Sequence, residues 1–188
     1  IEFFSIMRAK KAIEKANLAL LVIDGSIGIT TQDKKVSEII QELGVSCIVV
    51  VNKKDQMKKD FKDELYKINY LSYAPTIYIS ALYDRDYKKL FKLIKEVISE
   101  RNKKISTGEL NRFFQDLINY KTPPLSGNKE INLKYIVQAN TYNGAVRFII
   151  FTNYPKDVHK SYERFIINRI RGEYSFIGSP IEIVFKKG

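Results

Sequence analysis

Residues 47–55, CIVVVNKKD, combine an apolar run with a polar tetrad, and this combination indicates the fold class of the chain. The first five are continuously apolar, which is typical of a strand that a parallel sheet buries on both faces. The polar residues that follow stand at the carboxyl end of this strand, where the loops of open α/β sheets bind ligands. The stretch therefore predicts a parallel sheet with a ligand site at the tip of one strand.

The tetrad Asn52-Lys53-Lys54-Asp55 has the chemistry of a guanine-binding loop. Guanine presents two adjacent donors, N1–H and the exocyclic N2 amine, and a carboxylate such as that of Asp55 can accept both at once. Adenine lacks these donors, so a charged acceptor would lose its partners with the wrong base. We expect Asn52 to bridge the loop and reach the acceptors of the base, and the stem of Lys53 to lie across the ring.

A second motif, Ser80-Ala81, follows the apolar run 76–79, TIYI. A small residue at this point lets the backbone N–H of Ala81 approach the guanine O6, and Ser80 can brace Asp55. The N-K-x-D pattern alone would occur by chance in roughly a few per cent of chains of this length. Its combination with Ser80-Ala81 predicts a guanine site, with an exposed polar loop as the alternative.

The part of the chain up to residue 102 alternates amphipathic helices with short apolar strands, which indicates a parallel sheet covered by helices. A helix precedes the first strand. The predicted strands lie at residues 18–23, 47–51 and 76–79. Further helices are predicted near residues 32–43, 60–70 and 86–100. We therefore predict an α/β domain over residues 1–102.

Residues 103–188 predict a second, α+β domain with the order αββαβ. Ser106 or Thr107 caps its first helix. An Asn143-Gly144 turn between two alternating apolar runs predicts an antiparallel hairpin. The remaining elements are strands at 133–138, 145–151 and 181–185 and a helix over 157–171 that ends at Gly172.

Composition indicates a globular protein, since 45% of the 188 residues are hydrophobic. No apolar run approaches the roughly eighteen uncharged residues of a membrane span, so we expect neither an anchor nor a signal peptide. The single cysteine, Cys47, lies in an apolar run and is expected to be a buried thiol, which fits the reducing cytoplasm.

The net charge of +11 is unevenly distributed. Residues 1–100 hold 17 Lys/Arg against 14 Asp/Glu, whereas residues 101–188 hold 15 against 7. Such an excess attracts polyanions such as RNA. Lys160, Arg164 and Arg171 fall on one face of the last predicted helix, and they are the candidate RNA or ribosome contacts, with a merely solvated helix face as the alternative.

Several segments in order along the chain resemble the second G domain and the KH-like domain of the Der (EngA) family of ribosome-assembly GTPases. These segments are 4–9 FSIMRA, 28–33 GITTQD, 52–55 NKKD, 80–81 SA, 106–111 STGELN, 148–153 FIIFTN and 178–181 GSPI. The Asn143-Gly144 tip departs from the family, where a proline-containing segment is expected.

The resemblance implies a partial P-loop-type G domain followed by a KH-like domain. In the family's strand order 2-3-1-4-5-6, the three strands present would be 4, 5 and 6. The resemblance also implies GTP or GDP with Mg²⁺ as cofactors. As partners it implies the large ribosomal subunit with its rRNA and an upstream G domain of the same chain, with a role in ribosome biogenesis.

The sequence contains no G-x-x-x-x-G-K-[ST] loop to hold phosphates. We therefore expect residues 1–188 to be part of a longer chain, to hold no cofactor tightly and to lack hydrolysis and catalytic or metal-binding residues of their own. The apolar strand 18–23 would form an exposed sheet edge, which predicts pairing with a second copy. The rival interpretations are a basic KH-like RNA-binding or interaction module without nucleotide activity, and a scaffold that no longer exchanges nucleotide.

Overall fold

The computed structural model describes residues 2–57, 61–83, 87–141 and 144–188, with side chains from residue 6 onward. The chain divides into two compact units. The first comprises Ile1–Arg101 with the short segments Asn143–Ala145 and Ile177–Pro180. The second comprises Asn102–Tyr142, Val146–Phe176 and Ile181–Gly188.

The first unit is a three-stranded parallel sheet with helices. Its elements are α1 (Glu2–Glu14), β1 (Leu18–Asp24), α2 (Thr31–Leu43), β2 (Ser46–Asn52), a 3₁₀ turn (Lys54–Gln56), a 3₁₀ helix (Phe61–Leu71), β3 (Thr76–Tyr78) and α3 (Tyr87–Asn102). The strand order is β1-β2-β3, and both pairs are parallel. The predicted α/β class and the adjacency of the three strands are confirmed.

Strand β2 is the centre of this sheet. All five of its predicted apolar residues are buried, including the thiol of Cys47. One face of the sheet packs in a core with Ile13 of α1 and Ile40 of α2, and the other packs against Val97 of α3. Burial on both faces, predicted from the continuous apolar run, is therefore confirmed for β2.

The run 18–23 of β1 is also continuously apolar, which predicts burial on both faces, and this prediction is wrong. Leu21 and Ile23 are buried, whereas Leu20 is 42% and Val22 is 56% exposed. The reason is that β1 is an edge strand in the described residues, and the core formed with α3 is centred on β2. An exposed apolar edge was expected at this strand, and the strand order confirms that position.

The helical stretch predicted near 60–70 is a 3₁₀ helix with an interruption. Residue 60 lies outside the described residues, and the helix runs over Phe61–Leu71. The backbone of Ile68 leaves the helical region, with φ −121° and ψ 35°. Both ends nevertheless bury an apolar side chain, Phe61 and Leu71, in the core of the first unit.

The second unit has the predicted order αββαβ. Its elements are α4 (Thr107–Tyr120), β4 (Leu133–Gln138), β5 (Val146–Thr152), α5 (Lys160–Tyr174) and β6 (Ile181–Lys187). The sheet order is β4-β5-β6, with β4 antiparallel and β6 parallel to β5. The side chain of Ser106 caps α4, as expected. The core lies between the sheet and the two helices, with Phe114 and Ile166 fully buried in it.

Two details of this unit differ from the predictions. The helix predicted over 157–171 begins instead at Lys160, because Asp157 lies in a turn whose N–H donates to the Tyr154 carbonyl. The same helix continues through Gly172 to Tyr174, and the chain leaves it at Ser175 with φ 65°. Asn143 of the predicted hairpin turn lies outside the described residues. In the part of the chain that the structure describes, no helix has the length and apolar character of a membrane span.

Candidate functional site

The two sequence motifs meet at adjacent strand tips. Strands β2 and β3 are paired from Val49 to Val51, and the Ile79 N–H then donates to the Val51 carbonyl at 2.9 Å. Beyond the strands, the Lys54 N–H donates to the Ile79 carbonyl at 3.0 Å. The loop of the tetrad and the loop that begins at Ser80 are therefore held side by side.

A side-chain hydrogen bond joins the motifs directly. The Ala81 N–H donates to Oδ1 of Asn52 at 3.0 Å. Asn52 is predicted to bridge the loop, and its Oδ1 connects the tetrad with the loop that begins at Ser80. The Ala81 N–H is predicted to bind the guanine O6, so a base at this point would share the N–H with Asn52 or displace the amide oxygen.

The tetrad turns sharply at Lys53. This residue has φ 57° and ψ 43°, a left-handed conformation that is uncommon for a side-chain-bearing residue. A 3₁₀ turn over Lys54–Gln56 follows, so that Asp55 is displaced from the line of the strand. The carboxylate of Asp55 is exposed and can be reached by a ligand.

An ion pair ties this turn to the tip of β1. Nζ of Lys53 lies 2.7 Å from Oδ2 of Asp24. Oδ1 of Asp24 accepts from the N–H and hydroxyl of Ser26 at 2.9 and 2.6 Å. The hydrogen bonds from Lys53 and Ser26 lower the pKa of Asp24 to about 2. Asp24 therefore holds the turn at Lys53 against the tip of β1.

The backbones at the same tips approach closely at Gly25. Its N–H donates to the Asn52 carbonyl at 2.8 Å. A Cβ at this position would lie 2.9 Å from that oxygen and 3.1 Å from Cγ1 of Val51. Only glycine fits there without a shift, and the close approach fixes the end of β2 from which the Asn52 side chain reaches Ala81.

A pocket of about 360 Å³ opens between the two motifs. Five of the six predicted guanine-binding residues line it, and Lys54 instead contributes its backbone N–H to the loop pairing. The lining consists of Asn52, Lys53, Asp55, Gln56, Ser80, Ala81, Leu82 and Tyr83. A volume of this size falls in the range of small-ligand sites.

Three of the lining residues, Gln56, Leu82 and Tyr83, are not among those predicted from the sequence. Leu82 is 79% and Tyr83 is 71% exposed, and both directly follow the Ser80-Ala81 motif. Large apolar side chains next to a predicted ligand loop are the signal that would have found them. Gln56 gave no such signal, because only the turn after Lys53 brings it to the pocket.

Ser80 and the stem of Lys53 have roles that stay predictions. Ser80 is buried, with 3% of its surface exposed, below the pocket that it lines. The ammonium of Lys53 is engaged by Asp24, which leaves its aliphatic stem as the part available to a base.

The predicted cationic stripe on α5 is only partly realised. Lys160 and Arg164 are exposed. Arg171 is half-buried, and its Nη1 donates to the carbonyls of Ser175 and Phe176 at 3.3 and 3.0 Å. Arg171 therefore closes the end of its own helix, and the contact with RNA predicted for it stays a prediction.

Comparisons with known proteins divide the chain in two. Residues 3–100 match the family model of the elongation factor Tu GTP binding domain. Residues 104–186 match the model described as KH-domain-like of EngA bacterial GTPase enzymes, C-terminal. Both matches agree with the predicted partial G domain and KH-like domain.

Similar proteins include several called GTPase Der. The chain is 33% identical to that of Geobacter metallireducens over 99% of its length and 44% of the relative. It is 36% identical to that of Fusobacterium nucleatum over 99% of its length and 44% of the relative. The chain thus spans less than half the length of these curated relatives. A solved structure of an Aquifex aeolicus Era variant bound to GDP and AlF4⁻ is 18% identical, covers 94% of this chain and 66% of its own, and has a TM-score of 0.40.

Proposed function

Because the chain belongs to the family of Der (EngA) GTPases, we propose that its first unit recognises the guanine base of GTP and GDP. We further propose that its second unit contacts RNA of the large ribosomal subunit during ribosome biogenesis in the bacterial cytoplasm. The domain boundaries proposed for these roles are residues 1–102 and 103–188.

The bond between Asn52 Oδ1 and the Ala81 N–H is the observation that carries the first proposal. It holds a carboxylate-bearing turn and a small-residue loop at one pocket, as guanine recognition requires. Asp55 would accept N1–H and the N2 amine, and the Ala81 N–H would serve O6. The stem of Lys53, the side chain of Leu82 and the ring of Tyr83 would supply apolar contact to the base.

The residues present fit the base and not the phosphates. The sequence has no phosphate-binding loop of the G-x-x-x-x-G-K-[ST] type, and the described residues contain no acidic or histidine cluster suited to a metal ion. We therefore propose GTP hydrolysis with Mg²⁺ for a polypeptide that supplies those parts, including an upstream G domain. For residues 1–188 alone we propose weak nucleoside binding, with Kd on the order of 1 mM.

The direct experiment exchanges the hydrogen-bonding pattern of residue 55. In Asp55→Asn the side chain accepts from N1–H but donates an amide hydrogen where guanine also donates. Guanosine should lose about 10-fold or more in affinity, since hydrogen bonds to charged groups contribute about 1.5–3 kcal/mol. Xanthosine carries a carbonyl at C2 and should gain affinity. Calorimetric or NMR titrations with guanosine, xanthosine and adenosine measure the change.

The control for this variant is Asp63→Asn, which removes the same charge from a carboxylate outside the pocket lining. It should leave all three affinities unchanged. Equal binding of guanosine and adenosine by the unmodified chain would contradict guanine recognition. The chain would then be the rival candidate, a basic KH-like module without nucleotide activity or a scaffold.

The RNA contact is proposed from charge. Residues 101–188 carry 15 Lys/Arg against 7 Asp/Glu, and Lys160 and Arg164 are exposed one turn apart on α5. Phosphate contacts of this kind show as salt dependence, with a slope of about −0.7 per contact for single strands. Replacing both residues by Gln should lower that slope by about 1.4 units if they contact RNA. An unchanged salt dependence of RNA binding would mean that Lys160 and Arg164 are exposed to solvent and do not contact RNA.

A second copy of the chain is the proposed partner of strand β1. Its edge is unpaired within the described residues, and Leu20 and Val22 are exposed next to it. Exposed apolar edges favour strand pairing between chains. Sedimentation should detect self-association at high concentration, and Val22→Lys should reduce it. A monomer at all concentrations would contradict this proposal.

A further inference from the structure

The sheet of the second unit has one face outside its core. Along β5 the side chains alternate, so that Val146, Phe148 and Ile150 are fully buried. Ile149 and Phe151 point to the opposite face and are only half-buried. The two helices of this unit pack in the core on the first face, and the second is termed the outer face below.

Strand register sorts the outer face into three rows. Tyr135 is opposite Phe151, which is opposite Lys186. The second row consists of Val137, Ile149 and Val184. The third holds Arg147 and Glu182, whose Nε and Oε2 lie 2.7 Å apart. The outer face thus has an aromatic and cationic row at one end, an apolar row in the middle and an ion pair at the other end.

The aromatic pair is a stack. The ring centroids of Tyr135 and Phe151 lie 4.4 Å apart, and their planes are inclined by only 17°. A stack of two rings uses one face of each. Tyr135 lies on β4, which pairs within the described residues with β5 alone, and it is 43% exposed. The ring of Tyr135 therefore offers a further face on which a third planar group can stack.

The surroundings of the stack are cationic. Lys186 lies on this face opposite Phe151, and Lys134 and Lys187 are exposed at the neighbouring ends of β4 and β6. Nζ of Lys134 donates to the Gly188 carbonyl at 2.7 Å, and Glu182 at the far end is paired with Arg147. A planar group bound here would therefore be one that carries negative charge.

Building on the proposed contact of this unit with RNA, we propose that the outer face is the binding surface for single-stranded RNA. One base stacks on the face of the Tyr135 ring that is turned away from Phe151, and the lysines at the strand ends contact the flanking phosphates. Single strands fit because their bases can be splayed out and stacked on aromatic side chains, whereas the bases of a duplex are enclosed. A protein would gain from the apolar row but would also meet the cationic end of the face.

The test uses the complete 188-residue chain and a labelled oligouridine of about twelve nucleotides, in the range of single-strand sites. Tyr135→Leu removes the aromatic face and keeps an apolar side chain. By the usual contribution of base stacking, it should weaken binding about 5-fold to 150-fold in fluorescence anisotropy. Tyr135→Phe keeps the ring and should stay within about 2-fold of the unmodified chain.

Two further readouts separate stacking from loss of folding. Photochemical crosslinking of 5-iodouridine RNA should map to Tyr135 by mass spectrometry. Lys186→Gln should reduce the salt slope by about 0.7 and leave the thermal unfolding curve unchanged. A duplex RNA of the same length should bind more weakly than the single strand.

The outcomes distinguish this inference from the proposed function. If the chain binds RNA and Tyr135→Leu binds equally well, the outer face is not the surface and α5 becomes the site, so only the inference is overturned. If the unmodified chain binds no RNA, the RNA role itself fails, and guanosine binding is unaffected. Self-association through the outer face that RNA does not reverse would also overturn the inference in favour of a protein partner.

Discussion

Gly25→Ala should damage both the stability and the base site of the first unit. The added Cβ would lie 2.9 Å from the backbone oxygen of Asn52 and 3.1 Å from Cγ1 of Val51. A contact below 3.0 Å with backbone cannot be relieved by rotating a side chain, so the tips of β1 and β2 must separate. That movement lengthens the 2.8 Å hydrogen bond from the Gly25 N–H to the same oxygen.

Two terms determine the expected size of the effect. Overpacking of this kind costs about 1–3 kcal/mol, and weakening one backbone hydrogen bond costs about 0.5–1.5 kcal/mol. The free energy of unfolding should therefore fall by about 1.5–4.5 kcal/mol. With a typical urea dependence, the midpoint should move down by about 1 M or more. Because Asn52 also holds the Ala81 N–H, guanosine affinity should decrease as well.

Urea unfolding followed by circular dichroism measures this change. The matched control is Gly172→Ala in α5, where an added Cβ meets nothing within 4 Å. Alanine is the better helix former, so this control should leave stability unchanged or raise it by about 0.5–1 kcal/mol. A Gly25→Ala variant that unfolds at the same urea concentration as the unmodified chain would refute the close approach of the two strand tips.

Further predictions concern titration and reactivity. The Asp24 carboxyl, with its pKa lowered to about 2, should titrate by NMR well below the usual 3.8, and Lys53→Met should return it toward that value. Because the pKa is lowered in the folded state, the ion pair stabilises the fold above about pH 4, and this stabilisation is lost as the pH falls toward 2. A titration midpoint of Asp24 at the usual value would contradict the ion pair. Burial raises the pKa of Cys47 to about 12, so iodoacetamide at pH 8 should label it only after unfolding. Rapid labelling of the native chain would show that β2 is not enclosed.

The central strand and its motif could be predicted because they depend on local signals. A continuous apolar run that ends in Asn52 and Asp55 specifies both burial and chemistry. The exposure of Leu20 and Val22 could not be predicted in the same way, since β1 is as continuously apolar as β2. Whether a second layer covers a strand depends on neighbours that the strand's own residues do not encode.

The start and end of helix α5 in the second unit also differ from the limits that local sequence signals predict. Asp157 was predicted to be helical, but its Oδ2 lies 3.0 Å from Nζ of Lys129, far away in the sequence. Gly172 was predicted to stop α5, yet the helix continues until Ser175, where Arg171 binds the carbonyls beyond the end. At Asp157 a turn and a contact with a distant lysine accompany the later helix start, and at the other end the bonds of Arg171 to the next turn accompany the extension of α5.

The ion pair of Asp24 with Lys53 had no sequence signal. It exists because the register of β1 and β2 sets Asp24 opposite Asn52 and because Lys53 turns into the left-handed region. Register and turn geometry together bring the two charges within 2.7 Å. The same geometry brought Gln56 into the pocket.

Guanine recognition at the joined strand tips is tested most directly by the NMR signals of Ala81 and Asp55 during addition of a nucleoside. Guanosine should shift the Ala81 amide and the Asp55 carboxyl together, and both shifts should saturate with one Kd. Adenosine at the same concentrations should leave them in place. Signals that stay unmoved with guanosine, or that move equally with adenosine, would contradict a guanine site formed by these two residues.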